Sequence, residues 1–152
     1  MVPPIPMVVS VELAFDAIFL IQSVMRADGT LAPGERGAID AVARVLGIGS
    51  IAVPPSRPNA LRAARADVER EMLYGGAAWM GMADGRIDPT ERVVLDRYAA
   101  SLALSPGRVR RIERLAEASF HGEDSSAWTS RQWSTAYATL VATIVETLGT
   151  EI

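Results

Sequence analysis

Residues 27–50, ADGTLAPGERGAIDAVARVLGIGS, return as residues 83–106, ADGRIDPTERVVLDRYAASLALSP, at a constant offset of fifty-six and without a gap. Nine of the twenty-four positions are identical: Ala27/Ala83, Asp28/Asp84, Gly29/Gly85, Pro33/Pro89, Glu35/Glu91, Arg36/Arg92, Asp40/Asp96, Ala43/Ala99 and Leu46/Leu102. Apolar pairs extend the match at Leu31/Ile87, Ile39/Leu95 and Val42/Tyr98. Each copy reads as the end of one helix, a tight loop and an amphipathic helix. Two pseudo-equivalent helical hairpins follow, each preceded by its own long helix.

Outward from the repeat the chain keeps the same character. Alternating apolar and polar positions are few, and Ala, Leu, Arg and Glu are abundant, which favours helix over strand. About six helices are expected. The first covers roughly 8–27, after the Pro3, Pro4 and Pro6 lead-in, with Val11, Phe15, Ile18 and Gln22 on one stripe and Leu13, Ala17, Leu20, Ile21 and Val24 widening it. The second runs from Pro33 to about Leu46 and stops at Gly47 or Gly49, residues suited to a left-handed terminus. A long third helix is capped by Asn59 and reaches about Ala83, with Gly75-Gly76 either weakening it or admitting a close neighbour. The fourth spans Pro89 to about Leu104, and the fifth starts at Ser105-Pro106. The sixth follows Thr129 or Ser130, where Thr129 and Gln132 have capping-box spacing. The expected fold is a single all-α helical bundle over residues 1–152 with an internal pseudo-two-fold repeat: halves at about 8–55 and 59–118, then a C-terminal helix at about 130–148.

With 152 residues the chain suits one domain. It has no cysteine and one histidine, His121, which removes disulfides, thiolate zinc sites, iron–sulfur clusters and cysteine nucleophiles. All fifteen basic residues are arginine, so lysine Schiff bases and phosphate-loop lysines are excluded as well. The net charge of -3 advertises no nucleic-acid partner. The apolar N-terminus lacks the leading bases of a secretory signal and carries Glu12 and Asp16. An acid at bilayer depth costs about 2.5–3.5 kcal/mol, so a buried helix and a cytoplasmic location are expected.

The repeated loop has a structural explanation and a chemical one. Gly29 and Gly85 suit helix ends, and Asp88-Pro89-Thr90-Glu91 is a complete helix start in which Asp88 caps and Glu91 reaches back. In the first copy Ala32 replaces the capping acid. Asp28 and Asp84, however, sit at helix C-termini, where the macrodipole disfavours an anion by about 0.3–1 kcal/mol. Asp-Gly-x-(Leu/Ile)-x-x-x-Glu also has the spacing of positions five to twelve of an EF-hand calcium loop. Positions one and three would be Val24 and Arg26, or Met80 and Met82, so a full EF-hand is not expected. A weak divalent site pooling Asp28, Glu35, Asp84, Asp88 and Glu91 stands beside pure capping, and its ion would be a hard one: calcium, magnesium or manganese.

Two copies of Ala-Asp-Gly-x-(Ile/Leu)-x-x-x-Glu, each heading an amphipathic helix that ends near Leu-Gly, resemble the TerB-like tellurite-resistance domain and the N-terminal region of the DjlA co-chaperones. The resemblance implies an all-helical domain with internal pseudo-symmetry and a role in tellurite and other chemical-stress responses, often beside membrane-linked complexes. It also implies an acidic metal site carried by the five acids named above. No J-domain follows, so a co-chaperone role is not expected. With one histidine, no cysteine and no catalytic motif, the expected role is a non-enzymatic module working through protein partners, with no nucleic acid. A purely structural interaction domain and, further off, a metal-dependent enzyme using Asp84 and Glu91 are the alternatives. His121, between Phe120 and Gly122-Glu123-Asp124, reads as a loop histidine. Arg108, Arg110, Arg111 and Arg114 read as a solvated face paired with Glu113 and Glu117, or else as a patch for an acidic partner. Trp79, Trp128, Trp133, Tyr74 and Tyr137 have core spacing.

Overall fold

A computed structural model describes residues 10–27, 33–47, 67–83, 87–122, 125 and 128–147. These residues form six helices and, among them, no strand: α1 (Val11–Arg26), α2 (Pro33–Val45), α3 (Asp67–Gly81), α4 (Pro89–Ser101), α5 (Pro106–Ala118) and α6 (Ser130–Thr147). The all-α bundle expected from the sequence is the fold observed. The expected Asn59 cap lies outside the described residues.

Local chemistry sets the helix ends. Ser10 caps α1 by accepting the Leu13 N–H at 3.1 Å, and Ser105 caps α5 by accepting that of Arg108 at 3.2 Å. At α6 the Thr129 hydroxyl accepts the Gln132 N–H at 3.3 Å while the Gln132 side chain accepts that of Thr129 at 2.8 Å, the reciprocal pair its spacing predicts. Gly47 closes α2 with φ +81, as expected of a left-handed terminus. Its counterpart fifty-six residues on, Ala103, adopts φ +56, and the Leu104 N–H bonds to the Ala99 carbonyl at 3.0 Å. That left-handed stop ends α4 at Ser101 rather than near Leu104.

Surroundings differ between the copies. α3 is the central helix, buried without interruption from Glu71 to Gly81 and in contact with α1, α4, α5 and α6. α1 keeps a polar edge, because its buried face runs through Leu13, Ala17, Ile18, Leu20, Ile21 and Val24 while Val11 is 46% exposed. Of the expected stripe Val11 is exposed, Phe15 packs on the core and Ile18 is buried, and the flanking Leu13, Ala17, Leu20, Ile21 and Val24 are buried as expected.

Gly75 and Gly76 occur where α3 is most crowded. A β-carbon on Gly75 would stand 2.5 Å from Ile144 Cδ1, and one on Gly76 would stand 3.4 Å from Ile21 and Tyr137. The pair admits close neighbours, and α3 continues through it. Beside them Trp79 stacks on Phe120 with ring centroids 6.0 Å apart and meets Trp133 edge-on at 5.5 Å. Phe120 continues to Trp128 at 5.3 Å, so four rings tie α3, α6 and the α5–α6 connection together. Fully burying one such apolar side chain contributes about 1.5–3 kcal/mol. Among the described residues no helix is long and apolar enough to cross a membrane.

Candidate functional site

The second repeated loop is described on its C-terminal side. Met82 and Ala83 end α3 through bonds to the Ala78 and Met80 carbonyls at 3.0 and 3.2 Å. Ile87 then packs on the core, and a β-carbon on Gly81 would meet Leu95 at 3.4 Å and Ile87 at 3.5 Å. Gly81 thus lets the exit of α3 and the first turns of α4 approach closely. Ser125 of the α5–α6 connection is buried, and its hydroxyl donates to the Ala83 carbonyl beside the loop.

Asp88 and Glu91 form a closed capping box. Asp88 is extended at φ -80, ψ 168, and its Oδ1 accepts the Glu91 N–H at 2.8 Å and the Thr90 hydroxyl at 2.7 Å. Glu91 Oε1 accepts the Asp88 N–H at 3.0 Å, with Pro89 in the first turn where no donor is needed. The Thr90 hydroxyl and then the Glu91 amide hold the Asp88 carboxyl below its ordinary range. Glu91 is only 6% exposed, so its return bond is made inside the protein.

Two of the five acids proposed as metal ligands are therefore described, and these two bond to each other's backbone. Their described bonds turn inward to the helix start, which is the geometry of a cap. Asp28 and Asp84 lie outside the described residues, as do Gly29, Gly85, Ala32 and the side chain of Glu35. Among the described residues no three metal-ligating side chains gather into a cluster.

Behind the cap lies a polar network that the sequence reading passed over. Tyr74 of α3, fully buried, donates its hydroxyl to Glu113 Oε2 of α5 at 2.6 Å. Arg92 of α4 grips the same carboxylate with both terminal nitrogens, at 2.8 and 3.2 Å, and stands 3.6 Å from Asp96 one turn on. Burial alone would raise Glu113, but the bonds from Arg92 and Tyr74 outweigh it and hold the carboxyl below its usual value. Burial, then the bond to Glu113, pushes the Tyr74 hydroxyl far upward. Glu113 was expected to pair along its own helix; its partners are on α3 and α4 instead. Arg92 and Asp96 are identical in the first repeat as Arg36 and Asp40, four residues apart, and that recurrence was the available signal.

The remaining expected sites fall out simply. His121 is exposed at φ +51, and its neighbours Glu123 and Asp124 lie outside the described residues. Arg110, Arg111 and Arg114 are exposed along α5, whereas Arg108 leans toward the buried Glu71 at 3.9 Å. Met80 is buried and Met82 packs on the core.

Comparison of the chain with protein-family models, with curated proteins and with solved structures found no match.

Proposed function

We propose that this chain is a non-enzymatic, TerB-like helical module that serves chemical-stress responses through protein partners, its two halves related by a pseudo-two-fold. In this reading Asp88 and Glu91 serve to start α4. The observation that carries it is the Asp88–Glu91 box: the most motif-like residues of the second copy bond to each other's backbone at 2.8 and 3.0 Å, and Arg92 beside them locks α4 to α5. Side chains committed in this way shape a surface for another protein to read. The resemblance to the tellurite-resistance domain supplies the biological setting, including work beside membrane-linked complexes in the cytoplasm.

A divalent cation held by Asp28, Glu35, Asp84, Asp88 and Glu91 is the competing use of the same loops. The two uses separate chemically, because asparagine caps a helix as well as aspartate and glutamine completes the box as well as glutamate. Asp88→Asn/Glu91→Gln therefore keeps the cap and discards two charges. In a strain lacking the chain and scored for growth on tellurite, wild type and this double variant should restore growth equally. Restoration by wild type alone would reject the capping role, and no tellurite phenotype on deletion would reject the stress-response setting.

A further inference from the structure

α6 packs on both α2 and α3, and glycines receive it on each. A β-carbon on Gly37 of α2 would stand 3.5 Å from Trp133 Cδ1, and one on Gly76 of α3 would stand 3.4 Å from Tyr137 Cε1. One on Gly75 would stand 2.5 Å from Ile144 Cδ1 and 3.9 Å from Leu140 Cδ2. Trp133, Tyr137, Leu140 and Ile144 are all buried and follow one another at i, i+4, i+7 and i+11, a single stripe of α6. Glycine inside a helix weakens it, so α2 and α3 give up helix stability at the positions where those side chains enter. Together the two helices form a groove shaped for one amphipathic helix, a common mode of peptide recognition.

The helix resident in that groove fits it imperfectly. Trp133 Nε1 and the Tyr137 hydroxyl are buried with no hydrogen-bond partner among the described residues. The same holds for Nε1 of Trp79, the α3 residue whose ring meets those of Trp133 and Tyr137 at 5.5 and 5.3 Å. Each of these donors is cut off from water by the docking of α6 and gains no acceptor in exchange, which works against the contact. α6 therefore keeps its place through its tether as well as its fit. A tethered helix acts at an effective concentration of about 1 mM. A free helix without the unpaired hydroxyl should fit about tenfold better and compete with α6 at about 0.1 mM.

We propose that the groove of α2 and α3 is a helix-binding site, filled in cis by α6 and taken in trans by an amphipathic helix of a partner protein. That helix carries bulky apolar side chains at i, i+4, i+7 and i+11, with no polar atom on the first two. The register is set by Gly37, Gly76 and Gly75, and the apolar chemistry by the unpaired Trp79 and the rings around it. The inference rests on the interaction-module reading and supplies the chemistry of the partner. Its failure would leave partners bound on another surface, whereas growth on tellurite judges the module reading itself.

The probe is a fluorescein-labelled peptide of residues 130–147 carrying Tyr137→Phe, held at trace concentration while the full chain is raised to about 1 mM. Fluorescence anisotropy should reach half-saturation at about 0.1 mM chain, and at about 1 mM for the unaltered peptide. A full chain that itself carries Tyr137→Phe should bind the altered peptide about tenfold more weakly than wild type does, because its own α6 gains the same advantage. Hydrogen exchange on wild type with the unlabelled altered peptide should show α6 of the chain losing protection while α3 keeps it. No binding at about 1 mM chain overturns the proposal, as does peptide binding that leaves α6 protected. Equal affinity for the two peptides also overturns it, and would assign the groove to exchange of α6 between copies.

Discussion

The Tyr74–Glu113–Arg92 network ties three helices with one carboxylate, and its removal has a calculable cost. In Glu113→Ala the Tyr74 hydroxyl stays fully buried and loses its acceptor, a penalty of about 1–3 kcal/mol. The Arg92 share is smaller, because 39% of its side chain is exposed and water can take over, leaving about 0–1 kcal/mol. The sum is about 1–4 kcal/mol, a large part of the roughly 5–15 kcal/mol that holds a domain folded. Tyr74→Phe, which leaves the Arg92–Glu113 pair in place, should cost about 1–2 kcal/mol. Urea unfolding followed by the fluorescence of buried Trp79 and Trp133 measures both, and the double variant closes a cycle. The two losses should be less than additive by about 1 kcal/mol. Additivity within about 0.3 kcal/mol, or a Glu113→Ala loss below about 0.5 kcal/mol, would refute the reasoning.

Other consequences follow from individual groups. Glu113 is depressed in the fold, so its contribution is present above its ordinary value near 4.5 and lost as pH falls through the lower folded value; wild type should lose stability below pH 4.5 more steeply than Glu113→Gln. Tyr137 is the counterpart of Tyr74: its hydroxyl is buried with no hydrogen-bond partner among the described residues, so Tyr137→Phe should be neutral or stabilising by urea titration. Ala103 holds a left-handed φ of +56 where the first copy has Gly47, and Ala103→Gly should raise stability by up to about 1 kcal/mol in the same assay. Gly75→Ala brings a β-carbon against Ile144 Cδ1, so Ile144→Val, which deletes that methyl, should cost less in the Gly75→Ala background than in wild type.

The bundle was legible because its signals are local. Proline and serine at helix starts, glycine at a helix end and apolar spacing at three and four residues each act within one or two turns, and α2, α5 and α6 begin where those signals place them. The capping box at Asp88 was legible for the same reason. What escaped needed a distant partner. Nothing within α5 shows that Glu113 turns toward Tyr74, thirty-nine residues away, rather than toward an arginine of its own helix. The left-handed Ala103 was missed because alanine advertises no positive φ, although alignment with Gly47 would have marked it. Where the α1 face stops also depends on which neighbours surround the helix, and periodicity alone did not show that Val11, at its first turn, is exposed.

The central claim is that Asp88 and Glu91 are spent on starting α4, and calorimetric unfolding with calcium, magnesium or manganese tests it most directly. Wild type and Asp88→Asn/Glu91→Gln should unfold at temperatures within about 1–2 °C of each other and stay there as each ion is raised to about 10 mM, whereas Asp88→Ala, which loses the cap, should fall by roughly 2–4 °C with or without ion. A bound ion would behave differently: at ten times its dissociation constant it adds about 1.4 kcal/mol. A rise of that size in wild type that vanishes in Asp88→Asn/Glu91→Gln would show the loop acids holding a cation and contradict the capping role.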